Sequence, residues 1–192
     1  LIPRKVIDYR SALLEEMDID AILLRRPGTV LVDELAHTNA SGCRHSKRYQ
    51  DVMELLDNGI NVYTTLNVQH LESRSETVAQ VTGIIVRETV PDEIFETADE
   101  VELVDLPPDD LLQRLKEGKV YTTDQSKGAI ENFFRKGNLT ALREMALRIV
   151  AERVDKQLHD YMQQNRIKGP WKSGLSLLVA IDYKLQSMRL LR

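Results

Sequence analysis

Short runs rich in valine and isoleucine alternate along the chain with stretches whose apolar residues recur every three to four positions. The first kind of run predicts strands, and the second predicts helices with one apolar stripe. Strands are expected at 30–32, 62–65, 84–86 and 101–104, each bounded by glycine, asparagine or acidic residues. Helices are expected between them. Residues 13–26 carry Leu14, Ile19, Ile22 and Leu23, and 47–57 carry Val52, Leu55 and Leu56. Asn58-Gly59 then supplies a left-handed cap. Residues 68–81 carry Leu71, Val78 and Val81, and Gly83 follows. Such βαβα alternation predicts a parallel sheet covered by helices.

The pattern changes after Leu106. Pro107-Pro108 stops the chain, and 109–117 forms an amphipathic helix with Leu111, Leu112 and Leu115. Asp124 is placed to cap a helix running to Phe134. Gly137-Asn138 reads as a break, and 139–165 as one long helix with a single stripe through Leu142, Ala146, Ile149, Val150, Val154, Leu158 and Tyr161. Beyond Gly169-Pro170, residues 174–182 read as a strand ending in an acid, and 185–192 as the start of another helix.

Composition adds exclusions. A chain of 192 residues is large enough for one good core, or one core and a fragment of a second. A net charge of -4 does not favour nonspecific nucleic-acid binding. The single cysteine, Cys43, excludes an internal disulfide and fits a reducing compartment. No apolar run approaches the roughly 20 residues that span a bilayer. The chain starts in mid-pattern at Leu1, which reads as a piece of a longer protein. Charge is segregated: residues 88–110 hold ten Asp or Glu and no Lys or Arg, whereas 135–156 are rich in Arg and Lys. Two solvated faces are the default reading of such runs, and pairing between the segments, or of the basic helix with an acidic partner, is the sharper one.

The chemistry concentrates after the first expected strand. Thr29-Val30-Leu31-Val32 runs into Asp33-Glu34. A carboxylate at the carboxyl end of a buried parallel strand is where nucleotide-binding α/β domains hold magnesium, and a second can orient a water. Asp33 is the candidate metal ligand, and Glu34 the candidate for water orientation. No Gly-x-x-x-x-Gly-Lys-Ser/Thr phosphate loop accompanies them. The polar loop 35–48 follows, and its Arg44, Lys47 and Arg48 are candidate phosphate or partner contacts. Its His37, Cys43 and His45 do not complete a recognisable zinc spacing. Thr65 and Asn67 end the second strand and are candidate phosphate contacts, with Asn67 equally suited to cap a helix. His70 reads as a packed or surface histidine, and no nucleophilic triad order is apparent.

Several stretches together resemble one family. They include Val30-Leu31-Val32-Asp33-Glu34-Leu35-Ala36-His37-Thr38-Asn39, Lys47-Arg48-Tyr49-Gln50-Asp51-Val52, Val62-Tyr63-Thr64-Thr65-Leu66-Asn67-Val68-Gln69-His70-Leu71-Glu72-Ser73, Arg87-Glu88-Thr89-Val90-Pro91-Asp92 and Glu131-Asn132-Phe133-Phe134-Arg135-Lys136-Gly137-Asn138-Leu139. The combination resembles the amino-terminal cytoplasmic domain of the Kdp-type osmosensitive potassium sensor histidine kinases. The resemblance implies an α/β, P-loop-NTPase-like parallel sheet flanked by helices, here lacking its first strand and phosphate loop. That domain would occupy residues 1–168, and a universal-stress-protein-like domain would begin over 174–192. It implies that Asp33 and Glu34 are the family's second nucleotide motif, Walker B. It implies ATP and magnesium as ligands of the parent protein, with this piece alone holding them weakly or not at all. It also implies a cytoplasmic domain of a bacterial inner-membrane protein. Its partners would be the parent's other domains and, indirectly, a cognate response regulator. The expected role is input to a sensor kinase that responds to potassium limitation and osmotic stress, exerted through ATP-dependent packing. A stand-alone P-loop-type ATPase and a ligand-free docking module are the rivals. A sheet without its first strand would expose an edge or a core face near residues 30–32, so marginal stability or self-association is expected.

Overall fold

The computed structural model describes residues 1–9, 12–117 and 133–167. Its contacts divide the chain into two units, Leu1–Glu152 and Arg153–Arg192. The first is a mixed α/β unit with a small parallel sheet flanked by helices. The described part of the second is the end of one helix, closed by Arg166 at a left-handed φ of 53°.

Strand β1 (Lys5–Tyr9) pairs antiparallel with β2 (Ala12–Glu16), Lys5 lying opposite Glu16. This hairpin corrects the expectation of a helix over 13–26. Alanine, leucine and glutamate favour helix, but pairing with Val6, Ile7 and Tyr9 overrides that weak preference. The helix begins later, as α1 (Ile19–Arg25). Asp18 caps it, its Oδ1 accepting the Ala21 amide at 3.0 Å, and Arg26 ends it at a left-handed φ of 47°.

The predicted βαβ unit is present. Strand β3 (Thr29–Val32) is followed by helix α2 (Arg48–Asp57) and strand β4 (Asn61–Thr64). The strands are parallel, with Val30 opposite Val62 and Val32 opposite Thr64. Asn58-Gly59 closes α2 as expected, Gly59 taking a φ of +75° that a side chain would strain. The alternation of β3 and β4 directs Val30, Val32 and Val62 to a core with Ile19, Ile22, Leu35, Val52, Leu55 and Ile60. Their opposite face carries Leu31, 82% exposed, and its register partner Tyr63, 66% exposed. Two large apolar side chains on the face away from the core are therefore exposed near 30–32 and 63.

Past β4 the chain departs from expectation. Residues 68–81 do not form one helix. Two short 3-10 turns, Val68–His70 and Glu72–Arg74, precede α3 (Ser75–Thr82). The cause is a single parallel bridge between Leu71 and Val90: the Val90 amide donates to the His70 carbonyl and the Glu72 amide to the Val90 carbonyl. That tie draws Leu71 into a second core and prevents regular helix there. The strands expected at 84–86 and 101–104 are irregular, because β-branched residues form a strand only where a neighbour offers a ladder. Short α4 (Asp92–Glu96) and α5 (Pro108–Lys116) follow, the latter as predicted.

Helix α6 (Lys136–Gln164) is the expected long helix. It runs through Gly137-Asn138, which does not break it. These residues lie in the first turn, where backbone amides have no intrahelical partner to lose. Its Leu142, Met145 and Ile149 pack with Leu71 and Val78 to form the second core. The acidic and basic segments do pair: Arg143 grips Asp105 bidentately at 2.6 and 2.5 Å, and Lys136 meets Asp109 at 2.8 Å. The helix expected from Asp124 falls largely outside the described residues, and the strand and helix expected beyond 174 lie wholly outside them. Among the described residues, no helix is long and apolar enough to cross a membrane.

Candidate functional site

Strands β3 and β4 end side by side, and their carboxyl ends deliver Asp33, Glu34 and Thr65 to one place. The Thr65 hydroxyl donates to Asp33 Oδ1 at 2.5 Å. The Glu34 amide lies 2.9 Å from the same Oδ1 and 3.0 Å from Thr65 Oγ1. The Leu35 amide donates to the Thr65 carbonyl at 3.0 Å. Oδ1 is thus fixed, while Oδ2 has no hydrogen bond among the described residues. Parallel pairing brings the two strand ends together although Asp33 and Thr65 lie far apart in sequence.

Glu34 has a φ of +55°, in the left-handed region, with its side chain 72% exposed. A residue with a Cβ sits there at a cost, and such strain gathers at functional sites. Because the side chain is exposed, backbone preference decides the effect of substitution. We expect Glu34→Gly to leave stability within about 0.5 kcal/mol and Glu34→Val to lower it by about 1–2 kcal/mol. Urea unfolding midpoints measure both, and equal midpoints for the two variants would refute the strain.

Arg48, at the start of α2, reaches back to the same turn. Its Nη1 donates to the Asp33 carbonyl at 3.0 Å and lies 3.9 Å from a Glu34 carboxylate oxygen. Its Nη2 donates to Glu16 at 3.3 Å. Lys47, beside it, donates to the Thr38 hydroxyl at 2.7 Å. Arg44 is elsewhere: it pairs with Asp20 and Glu54, and Glu54 also meets His45 Nε2 at 2.6 Å. These bonds, that with His45 foremost, hold the Glu54 carboxyl below its usual range. Asn67 precedes the first 3-10 turn, but its side chain makes no cap bond, so that capping role does not hold. Of the seven predicted residues, four converge on one turn, Lys47 adjoins it, Arg44 anchors the far end of the loop, and Asn67 stands alone.

The loop between β3 and α2 is tightly held. Thr38 bridges Lys47, the Asn39 amide donates to Ser46, and the Arg48 amide donates to the His37 carbonyl. Buried Asn39 donates to Asp51 at 2.6 Å and to the His45 carbonyl at 3.1 Å. Burial raises the Asp51 pKa, and the Asn39 bond opposes it. Among the described residues, no three His, Cys, Asp or Glu gather as a metal site. A magnesium ion that takes one carboxylate, phosphate oxygens and water needs no such group.

Two carboxylates that sequence reading passed over matter here. Glu16, 5% exposed, accepts from the Ala40 amide at 2.7 Å, from His37 at 3.0 Å and from Arg48. Glu88 accepts the Thr38 amide at 2.8 Å, and its own carbonyl receives His70 Nδ1 at 2.7 Å. The available signal for Glu16 was its place beside Glu15, since adjacent strand residues face opposite sides. Partial burial opposes ionisation of Glu88, yet the Thr38 bonds and the His37 and Lys47 charges leave its pKa below the ordinary 4.5. A lowered native value means that its stabilisation is complete above 4.5 and fades as pH falls below it. Glu88→Gln should therefore be less stable than the parent at neutral pH, and the gap should close in acid. Urea midpoints across that range test this, and a constant gap would refute it.

Comparison with known proteins identifies the family. A family model described as KdpD, the osmosensitive K+ channel His kinase sensor domain, matches residues 1–154. The chain is 55% identical over 192 residues to Sensor protein KdpD of Escherichia coli strain K12, covering all of this chain and 22% of that protein. It is 56% identical over 157 residues to Sensor protein KdpD of Clostridium acetobutylicum, covering 82% of this chain and 17% of that one. It is 44% identical over 191 residues to a putative sensor protein KdpD of Synechocystis, and spans 50% of its length. The matches to the E. coli and Clostridium proteins fall in their amino-terminal parts. The family match takes in the Asp33–Thr65 turn, the loop pinned by Glu16 and Glu88, and both cores: this chain belongs to the KdpD sensor-protein family.

Proposed function

We propose that this chain is an input segment of a two-component sensor histidine kinase, and that Asp33, Glu34 and Thr65 form half of a magnesium–ATP site. One observation carries the reading: a strand-end carboxylate has one oxygen locked by Thr65 and Glu34 and the other without a hydrogen bond among the described residues. Such a group is ready to take a metal ion directly or through water. The residues present fit the metal side of a nucleotide. Thr65 and the Glu34 amide hold the Asp33 rotamer, and Arg48 fixes the turn from behind. Bound magnesium would supply neutralisation of phosphate charge. The phosphate-cradling side has no counterpart in this sequence, so a further segment of the parent, on a P-loop-like sheet, completes the site. Arg44, engaged with Asp20 and Glu54, holds the far end of the loop and does not contribute to the phosphate side.

The output is a change in packing that biases distant kinase or phosphatase activity, with potassium and osmotic stress as the stimuli. Ligand binding can do this only by favouring one conformation over another.

Equilibrium binding of magnesium–ATP tests the reading. The protein extended at its amino end along its own reading frame should bind. The present chain should bind far more weakly, and Asp33→Ala should abolish binding by the extended form. Failure of the extended protein to bind would overturn the nucleotide site in favour of a ligand-free docking module. Hydrolysis that Glu34→Gln abolishes would favour the ATPase instead.

A further inference from the structure

We propose that Glu16, on strand β2, is a positioning residue for the Asp33–Glu34 turn and acts through Arg48. This rests on reading that turn as part of a nucleotide site, but its geometry can be tested without nucleotide.

The hairpin and the carboxylate pair belong to different sheets, so nothing in the backbone ladder couples them. Glu16 makes the connection. Its carboxylate is nearly excluded from water and is shared among three donors: the Ala40 amide, His37 Nε2 and Arg48 Nη2. All three belong to the segment that runs from the carboxylate pair to the start of α2. Glu16 thus fixes both where that loop turns and where the Arg48 fork points.

Arg48 then spans the gap. One arm holds Glu16, and the other holds the Asp33 carbonyl and approaches the Glu34 carboxylate. Its Nε is buried without a hydrogen-bond partner among the described residues. Leaving a buried donor unpaired is costly, so the guanidinium is held by its two arms rather than by its own best solvation. The planar fork makes both ends of the bridge at once, which a single ammonium could not. The left-handed φ of Glu34 needs such external support, since local preference opposes it.

The test is amide hydrogen exchange on the full chain, read residue by residue. Glu16→Gln keeps the shape and removes the charge, and Arg48→Gln removes the fork. Each should speed exchange of the Glu34 amide by about tenfold, while the core amides of Leu55 and Ile60 stay protected. Arg48→Lys should fail to restore Glu34, because charge alone does not bridge. Glu15→Gln, next in the same strand and paired with exposed Arg4, should change nothing at Glu34. Wild-type exchange of the Glu34 amide in Glu16→Gln would overturn the proposal. So would acceleration shared equally by Leu55 and Ile60, or full rescue by Arg48→Lys. Magnesium–ATP titration of the amino-terminally extended protein is read separately. Its failure would remove the nucleotide reading and leave a positive exchange result standing.

Discussion

Leu55→Ala should lower the unfolding free energy by about 3 kcal/mol, within the range of about 2–5 kcal/mol found for buried leucines. Leu55 has no solvent exposure and is among the largest fully buried side chains. It lies on α2 in the core that α1, β3 and the 60–62 region share. Its own helix connects the two parallel strands, so a void there loosens the unit that places Asp33 beside Thr65. Urea denaturation of the variant should show a lower midpoint with an unchanged slope. Leu56→Ala, one position along and 41% exposed, should cost well under half as much. Equal losses at the two positions would mean that the stripe faces differently from the arrangement described.

Glu16→Ala should cost a similar amount, about 3 kcal/mol, by another route. Removing one partner of a buried ion pair leaves the other charge uncompensated. Arg48 would lose the anion on one arm, and the Ala40 amide and His37 would lose their acceptor. Combining Glu16→Ala with Arg48→Ala should cost clearly less than the sum of the single changes, because the second removal relieves the stranded charge. Strict additivity in a double-mutant cycle would show that the two residues do not act as a pair. The exposed Lys136–Asp109 pair offers a contrast: breaking it should cost about 1 kcal/mol or less.

Much of this architecture was legible in the chain. The βαβ unit, its connecting helix and the long helix α6 followed from apolar periodicity, and Gly59 and Gly83 mark helix ends as their positions imply. The failures share a cause. Ala12–Glu16 has helical composition and became a strand because a neighbouring strand was available. The runs at 84–86 and 101–104 have strand composition and stayed irregular because none was. Pairing partners are a property of three dimensions, and local preference is too weak to reveal them. The site shows the same limit. Asp33 and Glu34 were readable from a strand ending in acids. The donation from Thr65 needed the register between β3 and β4, and the role of Glu16 needed a hairpin that periodicity had concealed. Arg44 and Arg48 look alike in sequence, and only their surroundings separate a loop anchor from a clamp.

The two faces of the β3–β4 pair have different consequences. A parallel sheet is ordinarily covered on both sides. Here Leu31 and Tyr63 meet solvent, while Val32 is buried and Val30 and Val62 are half-buried against the core. An environment-sensitive dye should therefore brighten on the native chain before any denaturant is added. Leu31→Lys together with Tyr63→Ser should dim that signal and raise the concentration at which the protein begins to scatter light, without lowering its melting temperature. The practical handle on solubility is a pair of side chains on the far side of the sheet from its core.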